Sequence, residues 1–172
     1  MRLGLALLAS AALCVTPVVA QGKSKAVHSV EILRLCEGFT GGAALTPEAG
    51  AELGWDVYAE ISESPYVTMH TGYKDIAGLG KADMYALTET YPGVTLSYCR
   101  VDIAEPTGDA KPQVEAIAGL AEYSGTTKTT DDGAFGSFTG KDNPDRLLLV
   151  HHSKQSFVLQ LTDITRRAAS AQ

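Results

Sequence analysis

Apolar positions along this chain recur in two rhythms. Val27, Val30 and Leu33, with Ile32 beside them, fall at helical spacing and predict a first helix over residues 26–36. Ser24 is placed to cap its start, and Gly38, Gly41 and Gly42 to end it. Thr46-Pro47-Glu48 opens a second, short helix: Thr caps, Pro occupies the first helical position, and Glu meets the positive end of the dipole. That helix stops around Gly54, and Trp55 reads as a core plug where helix passes to strand. A third helix is predicted over residues 111–123. There Val114, Ile117, Ala118 and Ala121 form one apolar stripe, Pro112 sits in the first turn, and Gly125 lies past the end.

Strand-like runs take over elsewhere. Residues 82–90 and 94–103 flank Tyr91-Pro92-Gly93, where Pro presets φ and Gly tolerates positive φ, so an antiparallel hairpin is expected. Residues 147–151 and 156–161 predict a second hairpin around Ser153-Lys154. A further strand is predicted at 134–140, after a polar loop over 125–133. Between Asp56 and Gly80 the pattern is weak, with one strand suggested at 66–70, and the tail after Asp163 reads as frayed. Hairpins joined by short turns imply an antiparallel sheet. The expected fold is therefore α+β, two layers, with the helices packed on one face of the sheet, in a single domain over residues 21–172.

Alternation in the first hairpin divides its residues between faces. Cys99, Val101 and Ile103 share one side, which carries the β-branched apolar residues and should face the helices. Tyr98, Arg100 and Asp102 share the other, and Tyr98 and Arg100 mark a candidate binding surface on an uncovered sheet face.

Residues 1–20 stand apart from this pattern. Arg2 precedes an almost unbroken apolar run from Leu3 to Val15, Pro17 breaks it, and Val18-Val19-Ala20 supplies small residues at a cleavage point. A signal peptide cleaved after Ala20 is expected, leaving Gln21 first. The run is short for a membrane span, and Leu13 before Cys14 departs from a lipoprotein pattern. No later hydrophobic run is long enough to cross a bilayer. The only Asn, Asn143, is followed by Pro144, so no N-glycosylation sequon exists. These features point to a bacterial periplasmic or secreted product.

Composition narrows the class. Apolar residues make up 45% of the 172 and charged residues 20%, ordinary globular usage. Twenty acidic against 14 basic residues give a formal charge of −6, which loss of Arg2 with the leader takes to −7. An acidic chain of pI about 5.1 argues against a nucleic-acid backbone as partner. Cys36 and Cys99 are the two cysteines left after leader removal, and in an oxidising compartment an intramolecular disulfide between them is expected, ahead of an intermolecular bond or two buried thiols.

Catalytic patterns are scarce. Among His28, His70, His151 and His152 there is no HxH or HxxxH, the adjacent pair would point to opposite faces of a strand, and no CxxC exists, so no metal site is expected. Phe135-Gly136-Ser137-Phe138 lacks the second glycine of a nucleophile elbow. Gly78-Leu79-Gly80-Lys81 lacks the spacing of a phosphate loop and reads as a turn. Asp131-Asp132-Gly133 and Asp142-Asn143-Pro144-Asp145 are turn chemistry without the alternating acids of a calcium loop. No cofactor is expected.

Leu35-Cys36-Glu37-Gly38-Phe39, the stretch Ala49-Gly50-Ala51-Glu52-Leu53-Gly54-Trp55, and Tyr98-Cys99-Arg100 together resemble a group of small exported bacterial proteins of unassigned function. In that group a cysteine ends the first helix, a later helix closes on Gly-Trp or Gly-Phe, and a second cysteine lies in a strand. The resemblance implies a fold pattern and a disulfide, and no activity. The expected function is a non-enzymatic binding or interaction module for an unidentified protein or small ligand. The alternative is a small periplasmic hydrolase using His70 or His151 with a Ser or Asp from the loops.

Overall fold

The computed structural model describes residues 27–42, 46–60 and 67–166. The leader over residues 1–20, its cleavage after Ala20, and Ser24 and Tyr66 lie outside the described residues. The elements run α1 (Ser29–Thr40), α2 (Pro47–Glu52), β1 (Asp56–Glu60), β2 (Val67–Ile76), β3 (Gly80–Tyr91), β4 (Val94–Ala104), α3 (Ala110–Ala118), β5 (Tyr123–Thr130), β6 (Gly133–Gly140), β7 (Arg146–Ser153) and β8 (Ser156–Arg166). The strands form one antiparallel sheet of order β1-β2-β3-β4-β8-β7-β6-β5. More than half of the described residues are in strands and about a fifth in helices. The expected antiparallel sheet with helices is present, but the domain is mainly β rather than a clear two-layer α+β fold.

Both expected hairpins form. β3 and β4 turn through Pro92-Gly93 with Tyr91 opposite Val94, and Gly93 supplies the positive φ of 83°. β7 and β8 turn at Lys154-Gln155, where the Ser153 hydroxyl accepts from the Gln155 and Ser156 amides. Several elements differ from expectation. α1 runs through Gly38 and ends at Gly41. α3 is shorter, with Asp109 as its N-cap and Gly119 closing it, and Leu120 and Tyr123 already lie in the turn and strand that follow. Residues expected as a loop over 125–133 are mostly strand β5, whose polar sequence suits an exposed edge position. The tail expected to fray after Asp163 stays in β8 as far as Arg166.

The core lies between the helices and the sheet. From β3 across to β7, Met84, Val101, Leu159 and Val150 form one continuous row, and Ala86, Cys99, Leu161 and Leu148 the next. Each of these side chains is at most 1% exposed. Ile32, Leu33 and Cys36 of α1, with Val114 and Ile117 of α3, are buried in the same cluster. Trp55 is buried as expected. Gly50 is required where α2 meets β1, since a Cβ there would lie 2.1 Å from Val57 Cγ2. Cys36 is bonded to Cys99, with Cα atoms 5.3 Å apart, and so ties α1 to the centre of the sheet.

Polar ties hold the helices in register. The Gln113 side chain accepts from the Ser29 amide, and the Ser29 hydroxyl donates to the Gln113 carbonyl, so α3 caps α1 from 84 positions away. Tyr123 donates to Glu37 at 2.8 Å, and Arg34 bridges Glu37 and Glu122. Burial and that bond to Glu37 push the Tyr123 phenol up. Asp163, 5% exposed, receives Arg146 and Asn143.

Candidate binding face

The side of the sheet away from the helices carries every second residue of each strand, even-numbered in β1, β4, β5 and β8 and odd-numbered in β2, β3, β6 and β7. Tyr98, Arg100 and Asp102 of β4 all lie there, as their alternation predicts, while Cys99, Val101 and Ile103 are buried beneath the helices. Arg100 lies between Tyr85 and Gln160, and its guanidinium donates two hydrogen bonds of 2.7 Å to Asp102. Those bonds raise its pKa and hold it protonated. The Tyr98 hydroxyl approaches Gln160 Oε1 at 3.5 Å. Tyr98 and Arg100 are therefore half-buried, fixed members of a wider surface.

That surface mixes polar groups with most of the exposed large apolar side chains. Eight large apolar or aromatic side chains stand exposed among the described residues, and six of them, Tyr73, Tyr85, Tyr91, Phe135, Leu147 and Leu149, belong to this face. Leu87, Leu96, Val158 and Ile164 add partly covered apolar area between them. Over β5, β6 and β7 the face sinks into a hollow of about 370 Å³, lined by Thr126, Lys128, Phe135, Ser137, Leu149 and His151. His151 stacks on Phe135 with ring centres 4.5 Å apart and planes 6° from parallel. Sequence reasoning found Tyr98 and Arg100 but missed the residues around them. Alternation within 147–151 separates Leu147, Leu149 and His151 from Leu148 and Val150, so the signal was there for half of them. The rest needed the strand order.

Charge on the face is graded. Asp56, Tyr73, Asp83 and Asp102 succeed one another from β1 to β4, and the same row ends in His151, Phe135 and Lys128. Carboxylates stand at one end of the row and nitrogen bases at the other.

Two further hollows lie elsewhere. One of about 380 Å³ sits at the start of α3, with Asp109, Lys111, Asp131, Asp132 and His152 around it. His152 is 2% exposed, its Nδ1 has no hydrogen-bond partner, and burial together with His151 lowers its pKa, so it is neutral. The other, of about 350 Å³, lies over Trp55 beside Leu35, Leu53 and Lys74. Lys74 there is engaged by Glu31 and the Leu53 carbonyl, and its hydrogen bond lowers the pKa of Glu31.

The hydrolase alternative needs a histidine bonded to Ser and Asp. His70 has a buried Nδ1 with no partner and packs edge-on against Phe39, and His151 is occupied by Phe135. His28 contacts the Ala77 carbonyl and Glu31. No such triad forms among the described residues. They also hold no cluster of three His, Cys, Asp or Glu side chains that could bind a metal ion, and no described helix is long and apolar enough to cross a membrane.

Fold and face together define a mainly-β protein built on one sheet, with helices on one side and a broad apolar surface on the other. Comparison of the chain with protein-family models, with curated proteins and with solved structures gives no match.

Proposed function

We propose that this protein is an exported, non-enzymatic binding module, acting in the periplasm or outside the cell, and that the open face of its sheet is its binding surface. One observation carries this reading: six of the eight exposed large apolar side chains gather on that face. Soluble proteins seldom leave a contiguous apolar surface of more than a few hundred Å² unless something binds there. The aromatic content suits the role, since Tyr and Arg are favoured anchors of interfaces. The disulfide and the N-terminal apolar run support export.

The test places a photocrosslinking side chain at Tyr85 or Leu149, and, as control, at Glu115 on the exposed side of α3, in the native host. Adducts from the two sheet positions, and none from Glu115, are expected. Absence of adducts at both sheet positions would overturn the reading. Mass spectrometry of the exported protein should find Gln21 at its N-terminus.

A further inference from the structure

We propose that the open face is covered by a second copy of this chain, in a two-fold dimer whose axis runs along the strands at the β4–β8 seam. The proposal rests on reading that face as the binding surface, and it names the occupant.

The seam is the midline of the sheet, with four strands on either side. A two-fold axis along it lays β4 on the partner's β8, β3 on its β7, β2 on its β6 and β1 on its β5. The pattern of side chains on the open face is complementary under that operation. Asp56 meets the partner's Lys128, and Asp83 meets the partner's His151. Tyr73 meets the partner's Phe135, and one row further Tyr85 meets the partner's Leu149. Leu87 meets the partner's Leu147, and Leu96 the partner's Ile164. Two-fold symmetry repeats each contact, so Asp56 and Asp83 of each copy face Lys128 and His151 of the other.

Shape agrees with charge. Tyr73 and Tyr85 are 48% and 45% exposed on one half of the face, and the hollow lined by Phe135, Leu149 and His151 lies on the other half. Tyr85 of each copy thus meets the partner's hollow at Leu149, while Tyr73, which lines a second hollow with Asp56 and Asp83, meets the partner's Phe135. A twisted sheet is a saddle, and a two-fold along its central strand direction maps a saddle onto itself, so contact continues across all strands. Asp102, which meets the apolar Val158, enters already paired with Arg100.

The other symmetric choice is an axis across the strands. It would lay Asp83 over the partner's Leu87, burying that carboxylate without a partner, whereas the axis along the strands sets it against His151. Area also suffices. Eight strands averaging about nine residues cover roughly 1,100 Å² in plan, against about 800 Å² per partner in a standard stable interface.

Sedimentation equilibrium of the exported protein tests the proposal. The expected mass is twice that of the chain. Leu149→Asp should give a monomer with an intact disulfide and an unchanged far-ultraviolet spectrum. Asp56→Lys should weaken association about tenfold or more, and the double variant Asp56→Lys with Lys128→Asp should restore it, which a merely structural effect would not do. A wild-type monomer at about 100 μM, or a dimer indifferent to Leu149→Asp and Asp56→Lys, would overturn the inference. The crosslinking experiment separates its failure from that of the binding reading. Adducts of twice the chain mass support both, whereas adducts only to other proteins leave the binding face standing without the dimer. No adduct removes both.

Discussion

The two faces of the sheet are built from the same strands, and neighbouring residues live under opposite conditions. Leu148 is fully buried against the helices, whereas Leu149, one residue on, is 46% exposed. Val101 is fully buried, and Arg100 is half-buried in an ion pair on the other side. On the helix face, polar groups are few and mostly satisfied by partners such as Arg146 on Asp163. On the open face, carboxylates, tyrosines and leucines share one surface without a covering layer. The helix face answers to packing and so carries the stability of the fold. The open face leaves large apolar side chains exposed in the isolated chain, and that exposure is what the proposed binding role rests on.

Breaking this contrast at β4 should produce the largest effect. Val101→Asp places a carboxylate in the core, at a cost on the order of 4 kcal/mol or more, and should leave little folded protein. Arg100→Ala should cost less than about 1 kcal/mol, since its ion pair is partly exposed. Denaturant unfolding compares the two, and equal losses would show that the two faces are not distinct. Next comes the Cys36–Cys99 bond, which lies on the helix face and spans 63 positions. Replacing both cysteines by Ala should cost roughly 4 kcal/mol in the loop-entropy model, and the exported protein, freed of the leader that carries Cys14, should show no free thiol when denatured before reduction.

The leucine pair sharpens the contrast at β7. Leu148→Ala should lose about 2–5 kcal/mol through the cavity it leaves, and Leu149→Ala less than about 0.5 kcal/mol for the isolated chain. A similar loss at Leu149 would mean that the open face stabilises the monomer itself. The smallest expected effect is at His152. Burial and His151 lower its pKa, so the unfolded chain takes up the proton first as pH falls. The stability this group contributes is complete above about pH 6.5 and is lost as pH falls below it. The drop in Tm between about pH 7 and pH 5.5 should be smaller in His152→Gln than in the wild type.

Much of this fold was legible in local chemistry. Thr46-Pro47 starts α2 as read, with the Thr46 hydroxyl accepting from the Ala49 amide, and Pro92-Gly93 turns the first hairpin. The alternation through Tyr98, Cys99, Arg100 and Val101 assigned each residue to its observed face. These succeed because caps, turns and period-two alternation act within a few residues. β5 was missed because an exposed edge strand needs no apolar face, and Ser124 to Thr130 therefore reads like a loop until β6 pairs with it. β1 and β2 were obscured for a related reason, since Gly72 gives way to Met84 and Val57 and leaves their apolar alternation broken.

What the sequence determined by itself is the set of local choices: where helices start, where hairpins turn, which side of β4 is buried, and that two cysteines were available to pair. Only the tertiary structure decided that β8 lies beside β4 and thereby joins two hairpin-based halves into one sheet. That pairing brings Tyr85 and Leu149, 64 positions apart in the chain, into one row of one surface. It also sets Asp56 and Lys128 at opposite ends of another row. Strand order depends on how far-separated segments bury their apolar sides together, and the distribution of charge and aromatic rings over the open face is a consequence of that order.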